Sequence, residues 1–583
     1  MGANTAPEYL RLAGFELPGA GSITEPIRVP GSILDVTSPS FGAVGDGTTD
    51  DGPAIQRAVD SLVDTGGVIW LPPGKNYAIG TKVTIASKYP IWIKSCMAGS
   101  VLGGGAGTTH ADSAVIRPLA TLADYMLEWT TPAGLTWGES GGGGVEGLNF
   151  ADWIMPATYR TISITAAINV HCSAWRCHDT HFNYINGSAI RFGTTVYSQL
   201  RNIKVYVCGA TGKPPIDVDG GGSNALVWID RAFIEACNFG SAEPWVRANT
   251  SCVLNLSNAY FEGGSGVGWE SPSGAFVDGT DGGSLIIDSC IFNGTSGTSV
   301  ILGADQCVLR NSSVTNFPVG VPAVHVLAAA TKSQLSNLKF SCATDASMLL
   351  VEGANAQISD CYFGGSCGTS PVIDMAGSTG SVLSNPYLYL TAAQTAGYAI
   401  DLASNHLAGG VINGNSVAAC DGVLTVAGVV QGVEVFGLDD GDAFTATGAL
   451  SQFTGNRAYS LGTGTAFVYF GGNIASGNFG YTTTATATGN NTTQTATLNS
   501  PDGVITTGAL TTAASSETII VVNNSLVVAA SRVFAFVQRG TDGIGRYLVK
   551  EVVTGGGQFN VPVQNAGASA FTGTIKLSFL VVN

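Results

Sequence analysis

The sequence predicts an all-β protein whose central part is a parallel β-helix, and three regularities carry that prediction. An Asn or Asp recurs at intervals of 23 to 30 residues through the middle of the chain. Apolar residues stand two positions before and three positions after each of these anchors, and a second apolar stretch follows about 11 to 18 residues later. The anchors are Asp179, Asn202, Asp230, Asn258, Asp288, Asn311, Asn337, Asp360 and Asn385.

The spacing of the apolar residues requires a bend at each anchor. Side chains alternate along a strand, so positions −2 and +3 cannot face the same side of one straight strand. Asn and Asp tolerate the left-handed conformation that such a bend needs. Two or three short strands per repeat without a helical pattern indicate a stacked coil. About half of the anchors are uncharged Asn, so we interpret the acidic anchors as structural and disfavour a calcium-binding repeat.

Composition agrees with stacked coils and excludes several partners. Glycine accounts for 79 of the 583 residues, charged residues for 11% and hydrophobic residues for 45%. The net charge of −16 disfavours nucleic acid and anionic membranes as partners and weakly disfavours a polyanionic substrate. No stretch approaches 18 consecutive apolar residues, and the first residues lack a basic region followed by an apolar core. The sequence therefore predicts neither a membrane span nor a signal peptide.

The 12 cysteines are expected to be buried free thiols in a protein assembled in a reducing cytoplasm. Cys177 falls in an inward column, and no CxxC pair occurs. We expect no metal site and no cofactor.

The N-terminal region is predicted to form an extended arm followed by one helix. Residues 1–40 contain five prolines, which is typical of an extended arm. Asp50 or Asp51 is placed to cap a helix with Pro53 in its first turn. Its apolar face, which ends before Gly66 and Gly67, comprises Ile55, Ala58, Val59 and Leu62. A strand is predicted over 68–71.

The segment FGAVGDGTTDD, continued by AIQ, GGVIWLPPG and YAI, resembles the opening of the pectate-lyase superfamily. In that superfamily a short helix plugs the N-terminal end of a right-handed parallel β-helix. The resemblance implies the right-handed fold and leaves the chemistry open. Asp46, Asp50 and Asp51 lie within it and are expected to serve as turn and cap residues.

The C-terminal part changes composition twice. Residues 439–502 are rich in Thr, Ala, Gly and Asn, and we expect an intertwined neck that lacks a core of its own. Residues 503–583 return to strand alternation and predict a compact antiparallel β unit. This unit resembles the C-terminal trimerisation modules of bacteriophage tail fibres and spikes.

The complete order of segments resembles a bacteriophage tailspike. The predicted domains are an arm (1–40), a capping helix with the first β-helix strands (41–146), the parallel β-helix (147–438), the neck (439–502) and the trimerisation domain (503–583). The resemblance implies a homotrimer on the virion tail, assembled in the host cytoplasm and attached through residues 1–40 to tail, baseplate or portal adaptor proteins. It further implies a coil surface that binds, and usually cleaves, a polysaccharide of the host cell surface.

The candidate catalytic residues are carboxylates in the coils with the longest loops, because glycosidic hydrolysis needs two carboxylates in one cleft. The GHG, RIK and NTD motifs of polygalacturonases are absent past residue 100. Glu262 is the first candidate because it should face outward beside inward Phe261. Glu235 has the parity of an inward residue at the start of a long loop, where burial would raise its pKa, as a general acid requires. Asp217 and Asp219 should face outward one coil earlier as base or nucleophile.

Aromatic and charged neighbours of these acids are the predicted substrate contacts. They are Trp245, Trp269, Tyr260, Lys204 and Glu243, whereas Trp228 is expected in the core. The leading hypothesis is an endo-acting polysaccharide depolymerase of the glycoside hydrolase type. Two alternatives remain: a non-catalytic glycan-binding adhesin on the phage tail, and a polysaccharide lyase in which Lys204 and His181 neutralise a uronate. A secreted pectinolytic enzyme is disfavoured.

Overall fold

The structure is a computed structural model, and it describes most of the chain from residue 31 to residue 582. Residues outside the description are 1–30, 97–112, 137–138, 155–157, 160–161, 220–224, 238–242, 250, 264–274, 295–296, 316–319, 344–345, 367, 369, 391–397, 419, 439–441, 448–450, 460–466, 469–473, 477–478, 481–483, 500–501, 540–546 and 583.

The predicted parallel β-helix is confirmed: the chain visits three faces in turn, and each strand pairs in parallel with its counterpart in the next coil. The first face consists of Ser32–Asp35, Gly67–Trp70, Ile91–Lys94, Gly143–Glu146, Trp175–His178, Ser198–Tyr206, Ala225–Glu235, Cys252–Ser257, Ser284–Asp288, Val308–Arg310, Gln334–Ser336, Gln357–Ser359, Val382–Ser384, His406–Ala408, Val429–Gln431, Gln452–Thr454 and Ile474–Ser476.

The second face shares the two long strands Ser198–Tyr206 and Ala225–Glu235 with the first, because these strands continue through the bend. Its other strands are Asp46–Asp50, Asn76–Ile79, Ala114–Pro118, Leu148–Ala151, His181–Asn183, Tyr260–Glu262, Ile291–Asn293, Ser313–Thr315, Lys339–Ala343, Tyr362–Ser366, Tyr387–Tyr389, Val411–Ala418, Glu434–Leu438, Arg457–Tyr459 and Phe479–Gly480.

The third face forms a separate sheet of 15 strands. They are Val83–Ala86, Tyr125–Thr130, Ser163–Val170, Asn186–Phe192, Ile216–Val218, Val246–Ala248, Val277–Asp278, Val300–Leu302, Val324–Val326, Leu349–Val351, Ile373–Asp374, Tyr398–Asp401, Asp421–Thr425, Phe444–Ala446 and Phe467–Val468. One small antiparallel pair, Trp153–Ile154 with Thr158–Tyr159, lies beside the coils. A single hydrophobic core runs inside the three faces.

The bend between the first and second faces follows the predicted anchor column, with two corrections. Seven of the nine anchors have positive φ, between 48° and 55°, as the left-handed bend requires. At the other two repeats, the left-handed residues are Arg231 and Ser289, one position after the predicted Asp230 and Asp288. The anchors also support one another, because Asn258 Nδ2 donates to Asp230 Oδ1 (2.8 Å) and Asn337 Nδ2 to Asn311 Oδ1 (2.9 Å).

The shifted bends reverse which side chains face inward in these two repeats. A displacement of one residue moves every side chain to the opposite side of a strand. Ile229 and Ile234 are therefore buried, and the predicted core residue Trp228 instead faces outward and stacks on Tyr197 with ring centroids 6.0 Å apart. The prediction that Trp228 belongs to the core was wrong.

The N-terminal helix spans Gly52–Asp60 and buries Ile55, Ala58 and Val59 as predicted. Asp51 occupies the N-cap position, but its carboxylate accepts from the backbone N–H groups of Val44 (2.7 Å) and Gly45 (3.1 Å) rather than from the helix. The carboxylate of Asp50 accepts from Gly80 N–H (2.8 Å) and from the Thr81 hydroxyl (2.7 Å). The structural interpretation of these acidic residues is confirmed.

Ten cysteines fall within the described side chains, and all ten are free thiols. Nine of them are buried, as predicted, and Cys96 is exposed. Burial raises the pKa of the Cys252 thiol to about 12, so these groups behave as small apolar side chains.

The coil stack extends at both ends beyond the range predicted for it, into the predicted arm and the predicted neck. Ser32–Asp35, inside the predicted arm, pairs with Gly67–Trp70, and Val36 is fully buried. At the other end, strands continue to pair in register through Phe479–Gly480, inside the predicted neck. The threonine-rich strand Thr484–Gly489 pairs with Asp502–Thr507 of the same chain.

A second unit covers residues 484–582 and is built mainly from antiparallel pairs, with two parallel pairs. Its strands are Thr484–Gly489, Thr493–Thr497, Asp502–Thr507, Leu510–Thr512, Glu517–Asn523, Arg532–Arg539, Tyr547–Val549, Val553–Gly555, Gln558–Asn565, Phe571–Gly573 and Ile575–Val582. The unit has its own hydrophobic core, which includes Ile520, Phe559 and Phe579. Most of this core comes from residues 505–581, and the predicted neck contributes Ala487, Ala496 and Leu498 to it.

Candidate functional site

Two candidate acids, Glu235 and Glu262, come together on the outer surface of the second face. The strand pairing places them directly opposite each other in adjacent coils, and neighbouring strands lie ~4.8 Å apart. Glu235 faces outward because inward Ile234 precedes it, so its predicted inward parity was wrong. Glu262 faces outward beside buried Phe261, as predicted. Gly263 follows it, and a Cβ there would lie 1.5 Å from the Gly294 carbonyl oxygen, so the close approach of these coils requires glycine.

Lys204 lies next to Glu235 and is almost completely buried. Only 6% of the residue is exposed, and its Nζ lies 3.8 Å from Glu235 Oε2. The same Nζ lies 5.2 Å from the ring centroid of Tyr206 and 5.4 Å from that of Phe233, within the range of cation–π attraction. The ammonium group is thus held between two aromatic rings and one carboxylate.

The electrostatic environment distinguishes Glu235 from an ordinary surface carboxylate. Partial burial raises its pKa, Lys204 opposes that effect, and the charge of neighbouring Glu262 raises the pKa further. A carboxyl group with a raised pKa retains its proton closer to neutrality, which is what a general acid requires.

Aromatic and amide side chains extend this surface along the coils. Phe233 and Tyr260 stack with ring centroids 5.1 Å apart, and the amide of Asn293 lies 3.4 Å from the Tyr260 hydroxyl. The predicted outward position of Tyr260 is therefore found beside the acid pair. His181 lies opposite Lys204 in the preceding coil. We call the surface formed by Lys204, Tyr206, Glu235, Tyr260 and Glu262 the second-face site.

Asp217 and Asp219 do not join this surface, because they lie on the third face. Asp217 is 4% exposed, and its two carboxylate oxygens accept from Arg247 Nε and Nη2, both at 3.0 Å. The carboxylate of Asp219 pairs with Arg191 and accepts from Asn249 Nδ2 at 3.0 Å. Although burial acts to raise the pKa of Asp219, these hydrogen bonds outweigh it and hold the pKa below the usual range. Both carboxylates are occupied by guanidinium partners, which contradicts the predicted role of base or nucleophile beside Glu262.

Two further predicted substrate contacts, Glu243 and Trp245, do not lie at the second-face site. Glu243 belongs to the third face, where it accepts from Gly212 N–H (3.0 Å) and lies 3.7 Å from Arg247 Nη1. Trp245 is fully buried, with ring centroids 4.6 Å from Phe276 and 6.5 Å from Phe261. A buried ring cannot stack on a sugar, so its predicted role as a substrate contact was wrong. Trp269 lies outside the described residues.

The aromatic pair of Tyr197 and Trp228 was missed as a candidate ligand contact. Tyr197 is 64% exposed, and its ring is nearly parallel to that of Trp228, at 13°. Predicting this pair would have required knowing that the bend near Asp230 lies one residue later, at Arg231. The Asn/Asp column alone does not reveal that shift.

We expect Arg247→Leu to lower the free energy of unfolding by about 3 kcal/mol, because it leaves Asp217 buried without its main partner. Denaturant unfolding provides the measurement. Arg310→Leu is the matched control, since its partner Asp288 and its own side chain are more exposed and such pairs contribute up to about 1 kcal/mol. Equal losses of stability in Arg247→Leu and Arg310→Leu would contradict the structural role assigned to the buried Asp217 pair.

Within the described ranges no helix is long and apolar enough to span a membrane, and no group of three or more His, Cys, Asp or Glu residues is arranged to hold a metal ion.

Comparison with known proteins agrees with the fold. Residues 36–92 match the family model described as rhamnogalacturonase A/epimerase, pectate lyase-like, which contains the segment that carries the sequence resemblance. No curated protein matches the chain.

Several solved structures are similar to the chain at low identity. The tailspike protein of E. coli bacteriophage HK620, solved with a pentasaccharide, has 10% identity and a TM-score of 0.44, covering 94% of this chain and 93% of that one. The tailspike protein gp49 from Pseudomonas phage LKA1 has 12% identity and a TM-score of 0.38, covering 94% and 99%. ORF18 of Geobacillus virus E2 has 14% identity and a TM-score of 0.32, and the match covers 65% of this chain but only 61% of that protein.

The strand pairing defines a parallel β-helix, and residues 36–92 at its N-terminal end match a pectate lyase-like family model. Phage tailspike proteins, the group that the order of segments resembles, are among the solved structures similar to it.

Proposed function

We propose that this protein is a phage tailspike that binds a polysaccharide of the host cell surface and cleaves it with the carboxylate pair Glu235 and Glu262. The observation that carries the proposal is the position of these two acids, opposite each other on one outward surface with Lys204 and two aromatic rings around them.

In the proposed reaction Glu235 is the general acid. Its protonated carboxyl donates a proton to the glycosidic oxygen, while the carboxylate of Glu262 acts as nucleophile or as the base that activates water. The backbones of adjacent coils lie ~4.8 Å apart. From that spacing two glutamate side chains can reach either the ~5–5.5 Å between carboxyl groups of retaining enzymes or the ~6.5–9.5 Å of inverting enzymes, so it fits both roles of Glu262. Tyr260 and Tyr206 supply aromatic surface and hydroxyl groups beside the bond that is cleaved.

The decisive experiment incubates the purified protein with envelope polysaccharide from the host. Discrete oligosaccharides without a new double bond support hydrolysis by this pair. Products that carry an unsaturated uronate and absorb in the near ultraviolet would instead identify a lyase. Binding without products would identify an adhesin, and the proposed cleavage would be rejected.

We expect Lys204→Met to shift the alkaline limit of the cleavage rate to higher pH. Lys204 lowers the pKa of Glu235, so removal of the ammonium group raises that pKa and keeps the acid protonated at higher pH. A pH–rate profile measures the shift. Lys339→Met, further along the same face, is the control and should leave the profile unchanged. A shift to lower pH in Lys204→Met would contradict the assignment of Glu235 as the acid.

The proposal includes a homotrimer, and the C-terminal unit offers a surface for it. Among the described strands, Arg532–Arg539 lies at an edge of the sheet, and its one strand partner there is Ile575–Val582. Phe534 and Phe536 on this strand are 52% and 65% exposed, which is unusual for neighbouring large apolar residues. An unpaired edge with exposed phenylalanines is a natural place for other copies of the chain to pack.

We expect the double variant Phe534→Ser/Phe536→Ser to sediment as a monomer at concentrations where the wild type is a trimer. The C-terminal unit should still fold, because its core lies elsewhere. Val44→Ser replaces a comparably exposed apolar residue in an N-terminal coil and should leave the trimer intact. A wild-type monomer in sedimentation would reject the proposed assembly.

Attachment to the virion tail through adaptor proteins is assigned to residues 1–30, because Ser32–Asp35 belongs to the coils.

A further inference from the structure

A groove of about 600 Å³ lies on the third face, separate from the second-face site. Its floor is formed by outward residues of neighbouring coils, and its wall by the segment that follows strand Tyr125–Thr130. The lining residues are Glu128, Thr130, Thr131, Leu135, Thr136, His171 and Thr194. The volume falls within the range of ~300–1,000 Å³ typical of small-molecule sites.

The polar groups at the floor are held in place by their neighbours. Glu128 is positioned from two sides: Asn169 Nδ2 donates to its Oε1 at 2.9 Å, and Lys82 Nζ lies 2.8 Å from its Oε2. His171 packs against the backbone of Gly193, where a Cβ would lie 2.0 Å from its Cε1. Such fixed donors and acceptors reduce the ordering that a ligand would otherwise have to impose.

Three carboxylates in or beside the groove are paired with cations, and that of Glu139 accepts from the Thr136 N–H and hydroxyl, both at 2.9 Å. Glu128 lies against Lys82, the carboxylate of Asp219 against Arg191, and that of Asp217 against Arg247. A charged ligand would have to displace one of these partners and leave a carboxylate or guanidinium without its counter-ion. Burial lowers the pKa of His171, with Glu128 and Asp219 opposing and Arg191 reinforcing the effect, so the imidazole is neutral near pH 7.

The groove therefore presents hydroxyl groups, one neutral imidazole, one paired carboxylate and one leucine. Of the four threonine hydroxyls, that of Thr131 donates to the His171 carbonyl oxygen (3.0 Å) and that of Thr136 to Glu139 Oε2 (2.9 Å), so both can still accept from a ligand. The hydroxyls of Thr130 and Thr194 can donate and accept, and a neutral imidazole does one of each. We propose that this groove is a second ligand site, which binds neutral sugar units through Glu128, His171 and the threonine hydroxyls. The ligand class is shared with the proposed function, but the residues and the face of the coil are different.

The test uses the full-length Glu235→Gln/Glu262→Gln protein on an array of oligosaccharides that carries neutral glycans and uronate-containing glycans. These substitutions disable the second-face chemistry and leave the groove untouched. We expect this protein to bind neutral glycans. The additional substitution Gly193→Ala should weaken that binding about tenfold or more, the scale of one or two lost hydrogen bonds. The reason is that the new methyl group forces the His171 ring into the groove.

Thr130→Val removes a single lining hydroxyl with little change in shape, so it should weaken the binding of the same neutral glycans. It tests the groove independently if Gly193→Ala folds poorly. Thr379→Val, an exposed threonine far along the chain, is the control. The proposal is overturned if no neutral glycan binds, if both groove variants bind as well as their parent, or if the groove variants lose uronate binding instead. Cleavage of polysaccharide by the wild type is measured separately, so failure of the groove and failure of the second-face site are distinguishable.

Discussion

We expect Glu262→Gln and Glu235→Gln each to lower polysaccharide cleavage by about 10²–10⁴, the usual scale for losing a general acid or base. Glutamine retains the size of the side chain and removes the group that accepts or donates the proton. Glu235 and Glu262 occupy one outward surface in directly paired positions, and each variant removes one of the two groups that the proposed reaction needs. The release of oligosaccharides from host envelope polysaccharide provides the measurement.

Two controls separate chemistry from folding and binding in this experiment. Glu352→Gln alters a half-buried glutamate on the third face that is paired with His325, and this variant should cleave normally. Glycan binding by the two catalytic variants should persist, because the aromatic rings of the second-face site remain. Full cleavage by both Glu262→Gln and Glu235→Gln would place the reaction elsewhere, most directly between subunits of the proposed trimer.

Trp245→Ala is expected to destabilise the β-helix by about 3–5 kcal/mol, the range observed when large aromatic residues are removed from protein cores. The side chain is fully buried and packs in a cluster with Phe261 and Phe276, so its removal leaves a cavity between coils. Phe261 immediately precedes Glu262, and cleavage should therefore fall together with stability as the coil relaxes. Denaturant unfolding provides the measurement.

Trp228→Ala is the matched comparison. Its ring faces outward and stacks on exposed Tyr197, so the loss of stability should be smaller than for Trp245→Ala. Any weakening of glycan binding should appear in the Trp228 variant without unfolding. A stable Trp245→Ala protein that has lost glycan binding would reverse these assignments.

Much of the architecture was predictable because it depends on local periodicity. The Asn/Asp column with its apolar neighbours predicted the stacked coils and seven of the nine bends, whereas Pro53 and the apolar face that follows it predicted the N-terminal helix. Asp50 and Asp51 were correctly interpreted as structural, although Asp51 accepts from Val44 rather than from the helix and Asp50 accepts from Gly80, about 30 residues further along the chain.

The site was only partly predictable, because facing direction depends on where each bend occurs. At Asp230 the bend moves to Arg231, and that single residue exchanges the environments of Trp228 and Ile229 and turns Glu235 outward. The same parity rule worked for Glu262, whose repeat bends at Asn258 as predicted.

By itself, the amino-acid sequence determined that this chain forms a stacked parallel β-helix with a short N-terminal helix, buried free thiols and a strand-rich C-terminal unit. These properties follow from residue periodicity and composition, which act over a few neighbouring positions. The tertiary structure alone decided which carboxylates meet: it paired Glu235 with Glu262 and committed Asp217 and Asp219 to arginines on another face. It also decided that Trp245 is core and that the C-terminal unit has a core of its own. Such outcomes depend on contacts between residues that are a full coil or more apart in the chain, and these contacts exist only once the coils have stacked.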